Sequence, residues 1–357
     1  MIRDGKSIWG ARRAVLQAAL GGGLLALSLA NPALAGKPLI NLGPKAAPQA
    51  APLDFAAGDD LGQAGQGLIW QNEREGVRGL RQVVIPFFQV EFVTKSGAAS
   101  NGAGNAQASV TYALVGPTEG DMQAMTETLY GEFVANLEAS GVRVIPYAEA
   151  LARSPGLQRL ANMSKDSPYA RGKTVHSAFY SPPGLKFYFT PNDGRAIAFG
   201  DTMTTTGSFV PEEMAMKELD AGILGVRMVV DFAEIEARGR FMGMRPATAR
   251  VKSKANVTLL PTESQMWVLT PKAKSSPMDQ GHRQRYALTS PIIMPASVLS
   301  AADVTTGGSK ASDAAINVLG VLTGSGTSAK TRSYLVTVDP AVWRRDVSDA
   351  MAQVSKA

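Results

Sequence analysis

Apolar residues recur along this chain at two spacings, one that suits strands and one that suits helices. Val83 to Val93 is a continuous β-branched and aromatic run, which predicts a strand, with Pro86 marking an edge or a bulge. Ser96 to Gln107 is rich in Gly, Ala, Asn and Ser and reads as a loop, and Ala108 to Val115 alternates as a second strand. From Met122 the period changes. Met122, Met125, Leu129, Phe133, Val134 and Leu137 follow at three- and four-residue steps, one buried face of an amphipathic helix. Thr118 and Asp121 have capping-box spacing at its start, and Gly141 stands where a left-handed cap ends it. Val142 to Ile145 then reads as a short strand stopped by Pro146, with a helical turn from Ala148 to Leu151.

Further on, Leu185 to Thr190 and Ala196 to Phe199 flank Asn192-Asp193-Gly194, a hairpin signal. Pro211 to Asp220 predicts a short helix. Ile223 to Ala233 is nearly all apolar, as a central strand covered on both faces should be. Ala255 to Leu260 and Gln265 to Thr270 read as a strand pair around residues 261–264. Residues 289–331 are rich in Ser, Thr, Gly and Ala and read as a mobile loop, helical only from Ala314 to Val321. Arg332 to Thr337 is a last strand, and Asp339 caps a final helix with Pro340 in its first turn. The expected fold class is α/β or α+β: a mixed sheet packed by a long amphipathic helix, with an additional β-rich segment.

The N-terminus changes the setting. Arg3, Lys6, Arg12 and Arg13 precede the apolar run Ala14 to Ala30, and Ala33-Leu34-Ala35 is a small-residue cleavage site. This is the layout of a cleaved signal peptide over 1–35, which implies a periplasmic, secreted or outer-membrane-associated protein. Arg12-Arg13 suits the twin-arginine route, and a general secretory signal fits as well. Residues 36–79 are rich in Ala, Pro and Gly and read as a flexible tether. A mixed α/β domain is expected over 80–270, a Ser/Thr/Gly-rich loop region over 271–331, and a terminal strand and helix over 332–357 that pack back on the domain.

Composition removes several chemistries. There is no cysteine among 357 residues, which excludes disulfides, thiol nucleophiles, thiolate metal sites and a lipid-accepting cysteine. The whole chain carries +6, but removing 1–35 leaves 32 basic and 29 acidic residues, a charge of +3. That excess is too small to indicate nucleic acid as a partner.

The block from about Val83 to Leu160 resembles the small periplasmic α/β domains of the curli secretion protein family, of the N-terminal domain of the Tol β-propeller protein, and of the outer-membrane activators of penicillin-binding proteins. The residues that carry the likeness are Pro86-Phe87 in an apolar strand, the helix from Met122 to Leu137, the Gly-Val-Arg-Val-Ile step from Gly141 to Ile145, and the short helix after it. Leu224 to Phe232 would complete such a sheet. The resemblance implies an envelope protein that works by contact. It does not extend to pore formation, and the chain lacks the lipid-accepting cysteine common in that group.

Candidate reactive groups are sparse. The only histidines, His176 and His282, read as surface loop residues with no triad or metal partner nearby in sequence. Asp59-Asp60 falls in the tether, Glu212-Glu213 suits the first turn of a helix, and Glu234 and Glu236 follow a strand and alternate to one side. A carboxylate hydrolase would draw on such pairs. Gly320 to Gly326 lacks the Gly-Lys-Ser/Thr ending of a phosphate loop, and Ser328 and Lys330 have the wrong spacing for a serine–lysine nucleophile.

One cluster does point outward. Arg238, Arg240, Arg245, Arg250, Lys252 and Lys254 fall within seventeen residues that contain no acid. If 250–254 is a strand, Arg250, Lys252 and Lys254 share one face. Such a stripe suits an acidic protein surface, an anionic polysaccharide or lipopolysaccharide; on an edge strand, lysines also guard against aggregation. No cofactor or metal is expected. The favoured reading is a non-enzymatic scaffold or adaptor with an envelope protein partner and a possible homo-oligomer. The alternative is a soluble periplasmic binding protein for a lipid, pigment or polysaccharide.

Overall fold

The computed structural model describes residues 49–56, 58–61, 67–71, 77, 79–101, 107–172, 176–187, 209–238, 250–261, 263–270, 284–294, 299–313 and 329–356. In chain order the strands are β1 (Leu53–Asp54), β2 (Ile69–Gln71), β3 (Gln82–Asn101), β4 (Gln107–Val115), β5 (Arg143–Ile145), β6 (Tyr169–Gly172), β7 (His176–Tyr180), β8 (Gly222–Arg238), β9 (Arg250–Leu259), β10 (Gln265–Leu269), β11 (Gln284–Leu288), β12 (Ile292–Ile293), β13 (Leu299–Asp303) and β14 (Ala329–Val338). The helices are α1 (Glu119–Ala139), α2 (Tyr147–Arg153), α3 (Pro155–Met163), α4 (Phe209–Leu219) and α5 (Pro340–Lys356), with a further helical turn at 307–313. All the strands join one mixed sheet, so the fold is of the α/β or α+β class.

Two long parallel strands, β3 and β8, form the axis of that sheet. Each has an edge shared by several shorter strands in succession. Along one side of β3 lie β5 at Gln82–Val84, β7 at Val90–Lys95 and β4 at Lys95–Asn101. The outer side of β8 meets β10 at Ile223–Arg227 and β9 at Val230–Arg238. Thus β9 and β10 are not the strand pair expected from their spacing. They are two stretches that pair antiparallel with the same side of β8, one ending at Leu259 and the other starting at Gln265. The Ser264 hydroxyl accepts from Val229 N–H at 3.0 Å, and the Leu260 N–H donates to the Val229 carbonyl, so β8 keeps its backbone partners across the gap. Pro86 sits where the β3–β8 register slips between Val84 and Phe87, a bulge that absorbs its missing N–H.

Alternation along β3 and β8 divides the core. Phe88, Val90, Phe92, Leu224, Val226 and Met228 face α1 and α5. Phe133 of α1 lies 5.8 Å from Phe88, and Trp343 of α5 lies 5.6 Å from Phe92. The opposite parity, Phe87, Ile223 and Trp267, packs under α2, α3 and α4. Gly225 is needed here: a Cβ would come 2.2 Å from Trp267 Cζ2. A third cluster, with Val93, Val110, Tyr112, Val229 and Val336, fills the region where the strands run on past the helices. There the Tyr112 hydroxyl donates to Ser253 at 2.8 Å, and its ring stacks on Tyr334 at 4.9 Å.

The helices end as their residues dictate. Thr118 and Asp121 make the full capping box, and Gly141 takes φ +86°. Val142 N–H donates to the Leu137 carbonyl and Gly141 N–H to that of Glu138, a Schellman closure. Ser154 ends α2 and caps α3, and the Glu218 carboxylate of α4 accepts from the Ser154 hydroxyl at 2.5 Å and from Gly156 N–H at 3.0 Å. At Asp339, the carboxylate accepts from Ala341 and Val342 N–H to start α5.

Three expectations need correction. The tether expected over 36–79 does not extend through the described residues from 50. β1 pairs with β12, β2 pairs with β11, and Phe55, Leu61 and Leu68 are buried. Isolated apolar residues in an Ala/Pro background suffice, because an extended segment can take its backbone partners from an existing edge. The loop expected at 96–107 is strand as far as Asn101, paired residue for residue with β4. Its small residues lower strand propensity, and pairing outweighs that. Within 271–331, β11, β12, β13, the start of β14 and the turn at 307–313 are regular structure. The expected hairpin beyond Phe187 and the helix at 314–321 lie outside the described residues.

Candidate functional site

The ends of β8 and β9 carry the basic cluster. Their period-two sequences, Glu-Ile-Glu-Ala-Arg and Arg-Val-Lys-Ser-Lys, alternate charged with small or apolar residues, as a half-buried strand pair does. Ile235 and Ala255 pack on the third core cluster, which places Glu234 and Lys254 on the other side. The register then sets Glu234 opposite Lys254, Glu236 opposite Lys252, and Arg238 opposite Arg250. Glu234 and Lys254 are both exposed. Arg240 and Arg245 lie outside the described residues.

This arrangement revises the uniform basic stripe. Glu234 and Glu236 do not follow a strand; they lie within β8, each opposite a lysine. Glu234 and Lys254 thus face each other as opposite charges, an arrangement that is mildly stabilising across a ladder. Arg238 and Arg250 are opposite register positions at the end of the pair.

At the base of the same strand lies a cavity of about 380 Å³, lined by Asp54, Phe55, Asp59, Lys254, Asn256 and Met294 among others. The Asp59 carboxylate is engaged by Ala56 N–H at 2.7 Å. The Asn256 side-chain carbonyl is buried without a hydrogen-bond partner among the described residues.

A second polar group lies inside the sheet. On the face toward α2–α4, the Arg227 guanidinium donates to Glu91 at 2.6 Å, and both residues are fully buried. Arg227 also lies 5.9 Å from the Phe179 ring. Across the ladder from Arg227, Gln265 accepts from Arg285 Nε at 2.7 Å. Burial lowers the Arg285 pKa from its ordinary value. Neither Glu91 nor Arg227 is among the candidate groups read from the sequence. Gln89 and Glu91 in one apolar run and Arg227 in another were the available signal, a lone acid and a lone base in two segments that both read as strands.

The remaining candidates are dispersed. Glu212 is buried in the first turn of α4, while Glu213 pairs with Lys217 at 2.7 Å. His176 starts β7 and is exposed. Lys330 lies in β14 opposite Ala108. His282, Ser328 and Gly320 to Gly326 lie outside the described residues. Among the described residues no three or more potential ligands converge as a metal site, and no helix is long and apolar enough to cross a membrane. Comparisons with protein-family models, with curated proteins and with solved structures return no match for this chain.

Proposed function

We propose that this chain is an exported, non-enzymatic envelope protein that acts as a scaffold or adaptor in outer-membrane, secretion or cell-wall assembly, with the ends of β8 and β9 as its contact surface. The observation that carries the reading is the register that sets Arg238 against Arg250. Residues 238–254, which span the two positions, hold six bases and no acid, a composition that suits an anionic partner. The guanidinium group, with its fork of donors, suits carboxylate and phosphate oxygens alike, so an acidic protein surface, an anionic polysaccharide and lipopolysaccharide are all chemically fitting.

The test is crosslinking in intact cells from a photoreactive residue at position 254, which is exposed on the charged side of β9. A stoichiometric envelope adduct that disappears in Arg238→Glu/Arg250→Glu supports the proposal. An adduct pattern unchanged by that substitution refutes it. The alternative, a soluble binding protein for a lipid, pigment or polysaccharide, draws on the cavity of about 380 Å³ beside Lys254, which is within the size range of small-ligand sites. A small molecule retained through native purification, seen by mass spectrometry, would favour it.

A further inference from the structure

The sheet has a step beside β9. β12 pairs with β9 at Leu259 and Thr258, whereas β9 runs back to Arg250, so Asn256 and Lys254 lie beyond that pairing. The chain from Asp54 to Asp59 lines the other side of the step. Phe55 N–H donates to the Ile293 carbonyl at 2.9 Å. A turn follows, with Asp59 N–H donating to the Ala56 carbonyl and Ala56 N–H to Asp59 Oδ2. Gly58 N–H donates to the Asp349 carboxylate at 2.7 Å, which ties the turn to α5. These contacts hold the walls of the cavity of about 380 Å³ in place.

Its floor and its mouth differ in character. Phe55, Met294 and Asn256 are buried, at 1, 1 and 3% exposure, while Asp54, Asp59 and Lys254 are exposed. The Asn256 side-chain oxygen has no hydrogen-bond partner among the described residues, an arrangement that costs stability at a buried position. Packing alone would be served by leucine. An open acceptor in the wall of a cavity calls for a donor from what the cavity holds. Lys254, although opposite Glu234 in register, is exposed, and its ammonium has three donors to share.

We infer that this cavity takes a small zwitterion, an apolar α-amino acid. The ligand ammonium donates to Asn256 and to the carboxylates of Asp54 and Asp59, the ligand carboxylate meets Lys254, and the side chain lies against Phe55, Ile293 and Met294. A bare amine would bring a like charge to Lys254, and a bare acid would bring one to Asp54 and Asp59. A neutral sugar would leave those charges unused, and Phe55 is too deeply buried to give it an open ring to stack on. The volume lies at the small end of the range for ligand sites, as an amino acid requires. The inference does not depend on the contact surface at the ends of β8 and β9. It shares with the alternative reading the cavity as a small-ligand site, and assigns that site a ligand of different chemistry.

The experiment titrates the purified chain with alanine, valine, leucine and methionine, both enantiomers of each, by isothermal titration calorimetry. At least one is expected to bind with a dissociation constant of about 1 mM or tighter. For the tightest of them, the N-acetyl derivative, which lacks the ammonium, and the amide, which lacks the carboxylate, should each bind at least about tenfold more weakly. Asn256→Leu should lower the affinity at least about tenfold while its thermal unfolding midpoint does not fall, because an apolar group replaces an unmet acceptor. Lys254→Gln should weaken the amino acid by a like factor and leave its amide unchanged, a pattern that general loss of folding does not produce. Absence of binding throughout the panel overturns the inference, as does binding of either derivative equal to that of the parent, or affinity unchanged in either variant. None of these results bears on the contact surface, whose test is the arginine-dependent crosslink.

Discussion

The Arg227 guanidinium and the Glu91 carboxylate meet at 2.6 Å with no exposure of either residue, joining the two central strands through their side chains as well as their backbones. Removing one member leaves a charge deprived of this partner in a region shut off from water. Glu91→Gln or Arg227→Met should each destabilise the fold by about 3–5 kcal/mol. The double replacement Glu91→Leu/Arg227→Met should cost clearly less than the sum. Urea unfolding of the three variants measures this, and additive losses would show that the pair does not act as a unit.

Gly225 and Trp267 make a steric prediction. A methyl group at Gly225 would overlap the indole, so Gly225→Ala should destabilise by about 1–3 kcal/mol. Trp267→Leu combined with Gly225→Ala should recover part of the loss relative to the sum of the singles. Thermal unfolding reads the difference.

At the start of α1, hydrogen bonds from the Thr118 backbone and side chain, with Arg344 nearby, lower the Asp121 pKa from its ordinary value. A carboxylate whose folded pKa is depressed stabilises above its unfolded value, about 3.9, and that contribution is lost as pH falls through the folded value. Stability against pH should thus drop less steeply below pH 4 in Asp121→Asn than in the wild type. Thr118→Ala should cost about 1 kcal/mol at neutral pH.

Tyr180 gives the opposite limb. Burial, helped by the negative charge of Glu119, pushes its pKa up to about 12. The folded state favours the protonated phenol, so this stabilisation is complete below about pH 10 and is lost as pH rises toward 12. In an ultraviolet titration Tyr180→Phe should remove a late phenolate transition. Loss of an early one instead would contradict the assignment.

Much of the fold was legible in local pattern. The helix at Thr118 to Ser140 declared its buried face, its capping box and its terminal glycine, each set by residues a few positions apart. The run at Ile223 read as a central strand because both of its faces are covered, whereas the run at Val83 read as a strand with an edge or a bulge at Pro86 and proves to be central, with the bulge at Pro86. What local pattern could not supply was pairing. Gly97, Ala98 and Ala99 are strand because β4 lies beside them, and Leu53 and Phe55 are structural because β12 offers an edge. The candidate site shows the same division. The six basic residues were visible as a cluster in the sequence, but only the register reveals that Glu234 and Glu236 take positions opposite Lys254 and Lys252. The Glu91–Arg227 pair spans 136 positions and needs the parallel alignment of β3 with β8 to exist at all.

Because β8 runs unbroken from the helix-covered core at Gly222 to the arginines at Arg238, the outward tip and the interior have no hinge between them. A pull on that tip along the strand axis would load the ladders to β3, β9 and β10 in shear, many hydrogen bonds at once, where a peeled edge would open them singly.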